Sequence, residues 1–434
     1  MAVLRRIGRW ALTALVVNGV IGSGIFGVPS ELTRLLGRAS PLAMILAALA
    51  TGVLVASFAE VASQFPVSGG VYLYVRTAFG RFAGIQVGWF WLLSALAAGA
   101  AAANIFVTYL ASLWPAAAHA GIRAGILTFL IGVPAISNCL GVRHGANFSS
   151  ALAVAKLLPL GLLIALGLVR FGHHLQIIQP REILAPGWGS WFSALLLLLF
   201  VYDGYEDSLV PSGEVQDPRR SIPFALFAGL LVAAGIFTLL QFVTVATRGT
   251  QLSEHPLADS AAALIGHEGT AVVALAVMCS AYGWISQSLL TAPRLPGAFR
   301  EQGDGLEFLA WLHPRLQTPQ RAIATYAFLL WLLALTGTFL WAVLLSAGSQ
   351  MIYDILVCAS LIRLRRTRPR ADALRVPGGP VVALGGIGMA LAMLTRLDRR
   401  EVLLMSFTAL LAASHWWFLQ RRALRNSEPE SASQ

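Results

Sequence analysis

Asn18-Gly19-Val20-Ile21-Gly22-Ser23-Gly24-Ile25-Phe26-Gly27-Val28-Pro29 lies inside the first long apolar run of the chain, which extends from about residue 10 to 36. Glycine destabilises a helix interior by about 1 kcal/mol relative to alanine. Three glycines and a serine within six residues therefore predict a local unwinding in the middle of an apolar helix. A second run carries Phe200-Val201-Tyr202-Asp203-Gly204-Tyr205-Glu206-Asp207, with Pro211 and Gly213 after it. It places three carboxylates and a glycine at the depth of a bilayer. Non-helical backbone is tolerated there only where it is buried in protein or lines a cavity.

The rest of the chain sets the scale of these two breaks. Its 434 residues are 57% hydrophobic and 12% charged, with a mean hydropathy of +0.72. A soluble domain carries about 25% charge. The fold class is an all-α polytopic membrane protein of about twelve transmembrane helices. The spans fall near 10–36, 40–63, 82–112, 122–140, 149–169, 189–211, 222–247, 261–291, 321–337, 339–361, 379–396 and 401–420. The first run is too long for a cleavable signal and lacks a small-residue cleavage site. The polar tail, 426–434, is expected to be disordered. With both termini inside, 21 arginines fall on the cytoplasmic side and nine outside. That bias obeys the positive-inside rule and accounts for the net charge of +11 without nucleic acid. Cys139, Cys279 and Cys358 sit in apolar segments without paired spacing and read as core residues.

The breaks are about 180 residues and five spans apart. This spacing fits two inverted five-helix repeats, 1–170 and 189–362, followed by two additional helices in 379–420. Paired broken helices at matching points of two repeats point to a transport site. The physical logic is direct. Free amides and the dipole at a half-helix N-terminus hold a carboxylate, while free carbonyls at a half-helix C-terminus hold an ammonium. An amino acid zwitterion presents both groups on one carbon. Lys156, the only lysine of the chain, lies in the fifth span, where insertion costs about 2.5–3.5 kcal/mol. Such a residue faces a protein interior or a water-filled cavity.

Four stretches together resemble the amino acid–polyamine–organocation transporter superfamily, with its leucine-transporter-like fold of a 5+5 inverted repeat and broken helices 1 and 6. They are Asn18 to Pro29, Glu60 to Gly80, Phe200 to Pro223 and Ala292 to Pro319. The resemblance implies that backbone amides of Gly22, Ser23 and Gly24, with Ile25 beside them, bind a substrate carboxylate. It implies that carbonyls around Phe200, Tyr202, Asp203 and Gly204 bind the amino group, with the Phe200 ring beside the substrate. Lys156 matches a lysine whose ammonium stands in place of a sodium ion in sodium-independent members, with Ser280 or Ser286 of the eighth span as possible partners. Proton binding at Lys156, and at Glu206, would then couple to transport.

Asp203 departs from the pattern, because that position is commonly apolar in the superfamily. An acid there would favour a cationic substrate or a second proton, or bridge the broken helix structurally. Asp207 is also less typical. Glu60 is expected to bond backbone or loop arginines, and Asp354 to be structural rather than part of a proton path. Tyr205 and Trp284 fall where gates would lie. The implied function is secondary amino acid transport across the plasma membrane, proton-coupled or by exchange. A channel or a non-transporting sensor on the same fold is the alternative. The partners are an amino acid or amine, a proton and the lipid bilayer. No cofactor and no enzymatic constellation is implied.

Overall fold

The computed structural model describes residues 8–65, 70–141, 146–172, 182–183, 185–206, 215–368 and 373–427. The regular elements among them are helices, in the order α1 (Arg9–Val20), α2 (Gly24–Leu36), α3 (Ser40–Ser63), α4 (Gly70–Phe79), α5 (Arg81–Leu113), α6 (Ala120–Cys139), α7 (Ala146–Phe171) and α8 (Trp188–Val201). Then follow α9 (Pro218–Arg248), α10 (Pro256–Ile265), α11 (His267–Thr291), α12 (Leu295–Glu301), α13 (Gln320–Thr336), α14 (Phe339–Thr367), α15 (Gly379–Leu394) and α16 (Arg399–Ser427). Seven helical segments among the described residues are long and apolar enough to cross a membrane, and four shorter apolar helices accompany them. The molecule is an all-helical, polytopic membrane protein.

Most of the expected spans coincide with one helix each, and three differ. The first is two helices, α1 and α2, parted at residues 21–23. The sixth stops as a helix at Val201; Asp207, Pro211 and Gly213 lie outside the described residues. The eighth begins at His267, because Gly266 takes a φ of +80° and closes the separate helix α10 before it. That left-handed angle is open to glycine at almost no steric cost. The turn near Gly337 does divide two spans. Thr338 caps α14 by accepting the Trp341 amide, which supplies the N-terminal stop signal. Helix α16 runs on to Ser427, beyond the expected end at 420; residues 428–434 lie outside the described residues.

Helices α5 and α14 pack together at the centre. The run Ala97 to Ala103 on α5 is buried throughout. Such small side chains let helix backbones approach closely where apolar burial alone cannot drive association. Against this centre sit α11, α13 and α16, while α1 and α3 each pack on α9 and α2 packs on α8.

Two ion-pair clusters tie segments near the helix ends. Glu60, 1% exposed, accepts two hydrogen bonds from Arg365, at 2.5 and 2.6 Å, and one from the Val376 amide at 2.8 Å. The arginine comes from the last turns of α14 rather than from a loop. Removing one partner of a buried pair strands the other charge, at about 3–5 kcal/mol. Arg365 is a quarter exposed, so Arg365→Ala is expected to cost near the lower end, about 3 kcal/mol. Thermal unfolding in detergent, with Glu60→Gln/Arg365→Met as the neutral-pair control, checks this. Equal melting of wild type and single variant would refute it.

The second cluster centres on Asp304, which is wholly buried. It accepts from the Tyr72 hydroxyl at 2.6 Å and Arg76 Nε at 2.8 Å, and pairs with Arg81. Burial and then the bond to Asp304 push the Tyr72 phenol up, which keeps it a donor. The short helix α4 is thereby held to the turn after α12.

Candidate functional site

The break between α1 and α2 leaves a known set of backbone groups without helical partners. Gly22 N–H turns back to the Val20 carbonyl at 2.8 Å, and Phe26 N–H bonds the Ser23 carbonyl at 3.3 Å. Ser23 caps α2 without a side-chain hydrogen bond. First-turn amides have no partner inside their own helix, so those at Gly24 and Ile25 are available to an acceptor. The positive end of the α2 dipole adds to their pull on an anion.

The second break ends α8. Tyr202 N–H reaches the Leu198 carbonyl at 3.0 Å and Asp203 N–H the Phe200 carbonyl at 3.3 Å, after which the chain leaves the helix. Gly204 takes a φ of +93°, a conformation that favours glycine. It faces Gly19 of the first break so closely that a Cβ on either residue would lie 2.7 Å from the carbonyl oxygen of the other. A Cβ on Gly24 would lie 3.1 Å from the Phe200 ring. Two glycine-rich breaks, far apart in sequence, thus touch backbone to backbone.

They border one cavity of about 510 Å3, its open mouth included. The first break contributes Gly22, Ser23 and Gly24. The second contributes Phe200, Asp203, Gly204 and Glu206. Two of the expected contact residues are elsewhere. The Ile25 side chain is buried in the core, and the Tyr202 hydroxyl donates to the Met44 carbonyl of α3 at 3.0 Å. The opposite wall comes from residues that the sequence did not single out for contact: Trp91, Ser94, Ala95 and Ala98 of α5, and Tyr353 of α14. Trp284 of α11 completes it, beside Gly22, at the place expected of a gate. Tyr205, the other expected gate, turns away and packs edge-on against Phe58 of α3.

Lys156 lies outside the cavity, behind the first break. Its ammonium donates to the carbonyls of Asn18 at 2.8 Å and Ile21 at 2.6 Å. These are terminal carbonyls of α1, left over where the helix stops, and a cation there is favoured by the helix dipole. The two bonds go to backbone and not to the expected serines; Ser280 Oγ is buried without a partner, and Ser286 is half-buried.

Fold and cavity together have the form of a transport site, two broken helices meeting inside an all-helical membrane protein. The sequence pattern of the amino acid permease family matches residues 7–414, and the chain belongs to that family. Among its relatives, the serine/threonine exchanger SteT of Bacillus subtilis is 27% identical over 333 residues, 74% of each chain. Asc-type amino acid transporter 1 of Mus musculus is 27% identical over 391 residues, 85% of this chain and 72% of its own. Cationic amino acid transporter 4 of Mus musculus is 25% identical over 393 residues, 85% of this chain and 61% of its own. The protein is an amino acid permease.

Proposed function

We propose that this permease moves an amino acid across the plasma membrane without sodium and together with a proton, with both termini in the cytoplasm. The observation that carries the reading is Lys156. Its ammonium supplies the positive charge at the first break, so a bound sodium ion is not needed there. The substrate carboxylate would meet the amides at Gly24 and Ile25, and its amino group the carbonyl end of α8 around Phe200 and Asp203. Phe200 and Trp284 would close over it. Glu206 lines the same cavity and is the proton site of this reading. The two five-helix repeats would work by alternating access, with α1, α2, α3, α8 and α9 rocking against the rest. The packing of α9 on α1 and α3, and of α8 on α2 and α3, favours their moving as one body.

Exchange is the second reading, favoured by the relative named as an exchanger. The same relative makes serine and threonine the first substrates to test. Proteoliposomes loaded with buffer or with unlabelled amino acid separate the readings. Saturable accumulation of labelled L-serine into empty vesicles under an inward proton gradient, unchanged by replacing sodium with choline, is the expected result. Uptake only into preloaded vesicles would establish exchange. Unsaturable equilibration would indicate a channel, and binding without flux a sensor.

A further inference from the structure

Behind the second break lies a group of carboxyls that the grip on a zwitterion does not use. Asp203 and Glu206 line the same cavity, and their carboxyls are near enough to interact electrostatically. Glu206 is 7% exposed; its Oε1 accepts from the Tyr353 hydroxyl at 2.8 Å, and its Oε2 has no partner. The next residue on α14, Asp354, is 0% exposed, and both of its oxygens are without a hydrogen bond. It interacts electrostatically with Asp203 and Glu206. The other titratable groups facing the three are Tyr205, Tyr353 and Cys358. Among the described residues no arginine, lysine or histidine forms an ion pair with any of the three. Lys156 is occupied with α1.

Two buried carboxyls and a half-buried one near them, with no paired cation, cannot all be charged. A proton taken up by neighbouring carboxyls removes one of the charges and supplies the donor that ionised carboxylates lack. The group therefore carries protons whenever it is closed from water. It also has a way out. Cys358, one turn beyond Asp354 on α14, meets Ser57 of α3, and Glu60 with Arg365 follows toward the ends of both helices. That is the side on which the arginine bias places the cytoplasm.

We propose that Asp354 is the inner proton acceptor of the transport cycle, fed by the Asp203–Glu206 pair. This rests on the proton-coupled reading above. One proton from the outer water binds the Asp203–Glu206 pair as substrate enters. When the site opens inward it passes to a carboxylate oxygen of Asp354, leaving the pair singly deprotonated. Asp354 then releases that proton along the seam between α3 and α14 to the inner water.

Asp354→Asn keeps the shape and removes the proton site. In proteoliposomes, substrate-driven proton entry, read with a trapped pH dye, and labelled L-serine counterflow at equal pH are measured together. Wild type is expected to show both. Asp354→Asn is expected to lose proton entry by at least tenfold while counterflow stays within about threefold, and Asp354→Glu is expected to restore entry. Proton entry retained in Asp354→Asn would overturn the proposal and leave the symport reading standing. Loss of counterflow along with proton entry would make Asp354 structural and also overturn it. Wild type that counterflows L-serine with no proton entry would overturn both readings. The same holds if labelled L-lysine, moving without protons, proves the favoured substrate, since the carboxyls would then be taken by its side-chain cation.

Discussion

Lys156→Ala is expected to abolish transport of any substrate, with uptake falling at least a hundredfold. The alanine leaves the carbonyls of Asn18 and Ile21 (now bonded at 2.8 and 2.6 Å) buried without a donor. An unsatisfied buried acceptor costs about 1–3 kcal/mol, and two of them flank the residues offered to the substrate carboxylate. The positive charge at the end of α1 disappears as well. Either α1 re-forms its last turn or sodium and water fill the gap, and in both cases the amides at Gly24 and Ile25 lose their present aim. The shift is worth about 3 kcal/mol or more, and about 1.4 kcal/mol is a tenfold change in an equilibrium. Lys156→Arg is not a rescue, because a planar guanidinium cannot replace a compact ammonium between two carbonyls. Labelled uptake, with size-exclusion profiles to confirm folded protein, checks both variants. Uptake in Lys156→Ala within threefold of wild type would leave the lysine as packing.

Gly204→Ala is expected to be nearly as damaging, through steric contact alone. The residue sits at φ +93°, where a side chain is strained by about 1–3 kcal/mol. Its Cβ would also lie 2.7 Å from the Gly19 carbonyl oxygen, well inside van der Waals contact. The two breaks would have to separate, which widens the distance between the amide end of α2 and the carbonyl end of α8. A zwitterion held at both ends would then lose one of them. The expected outcome is a fall in uptake of about a hundredfold with most of the folded protein retained. Gly235→Ala, on α9 with open space around it, is the control and should leave uptake unchanged. Similar uptake in the two variants would show that the contact between the breaks has no part in binding.

The two breaks were legible in the sequence because nothing but a cavity or a contact justifies clustered glycines and carboxylates inside apolar runs. Gly22, Ser23, Gly24, Asp203, Gly204 and Glu206 stand out for that reason, while Phe200 and the binding roles come from the resemblance. Lys156 was conspicuous for the same kind of reason, an expensive charge in an apolar span. The α5 wall of the cavity was not legible. A helix buried all round has no amphipathic stripe, so Trp91, Ser94, Ala95 and Ala98 look like any other core positions. Ile25 and Tyr202 are contacts that the resemblance implies. Backbone near a break points side chains in several directions, and these two point into the core and toward α3. The partner of Lys156 was sought among serines, although a stopped helix already offers free carbonyls. Asp354 reads in the sequence as structural rather than part of a proton path, and its neighbours Asp203 and Glu206, just beyond α8, are distant in the chain.

The central claim is that a built-in ammonium replaces sodium behind a cavity formed by two broken helices. Uptake of labelled L-serine into proteoliposomes, measured across a matrix of sodium and proton gradients for wild type and Lys156→Ala, tests it most directly. The account predicts wild-type accumulation that follows the proton gradient, ignores sodium, and vanishes in Lys156→Ala. Accumulation that requires an inward sodium gradient, or that survives the loss of Lys156, would contradict it.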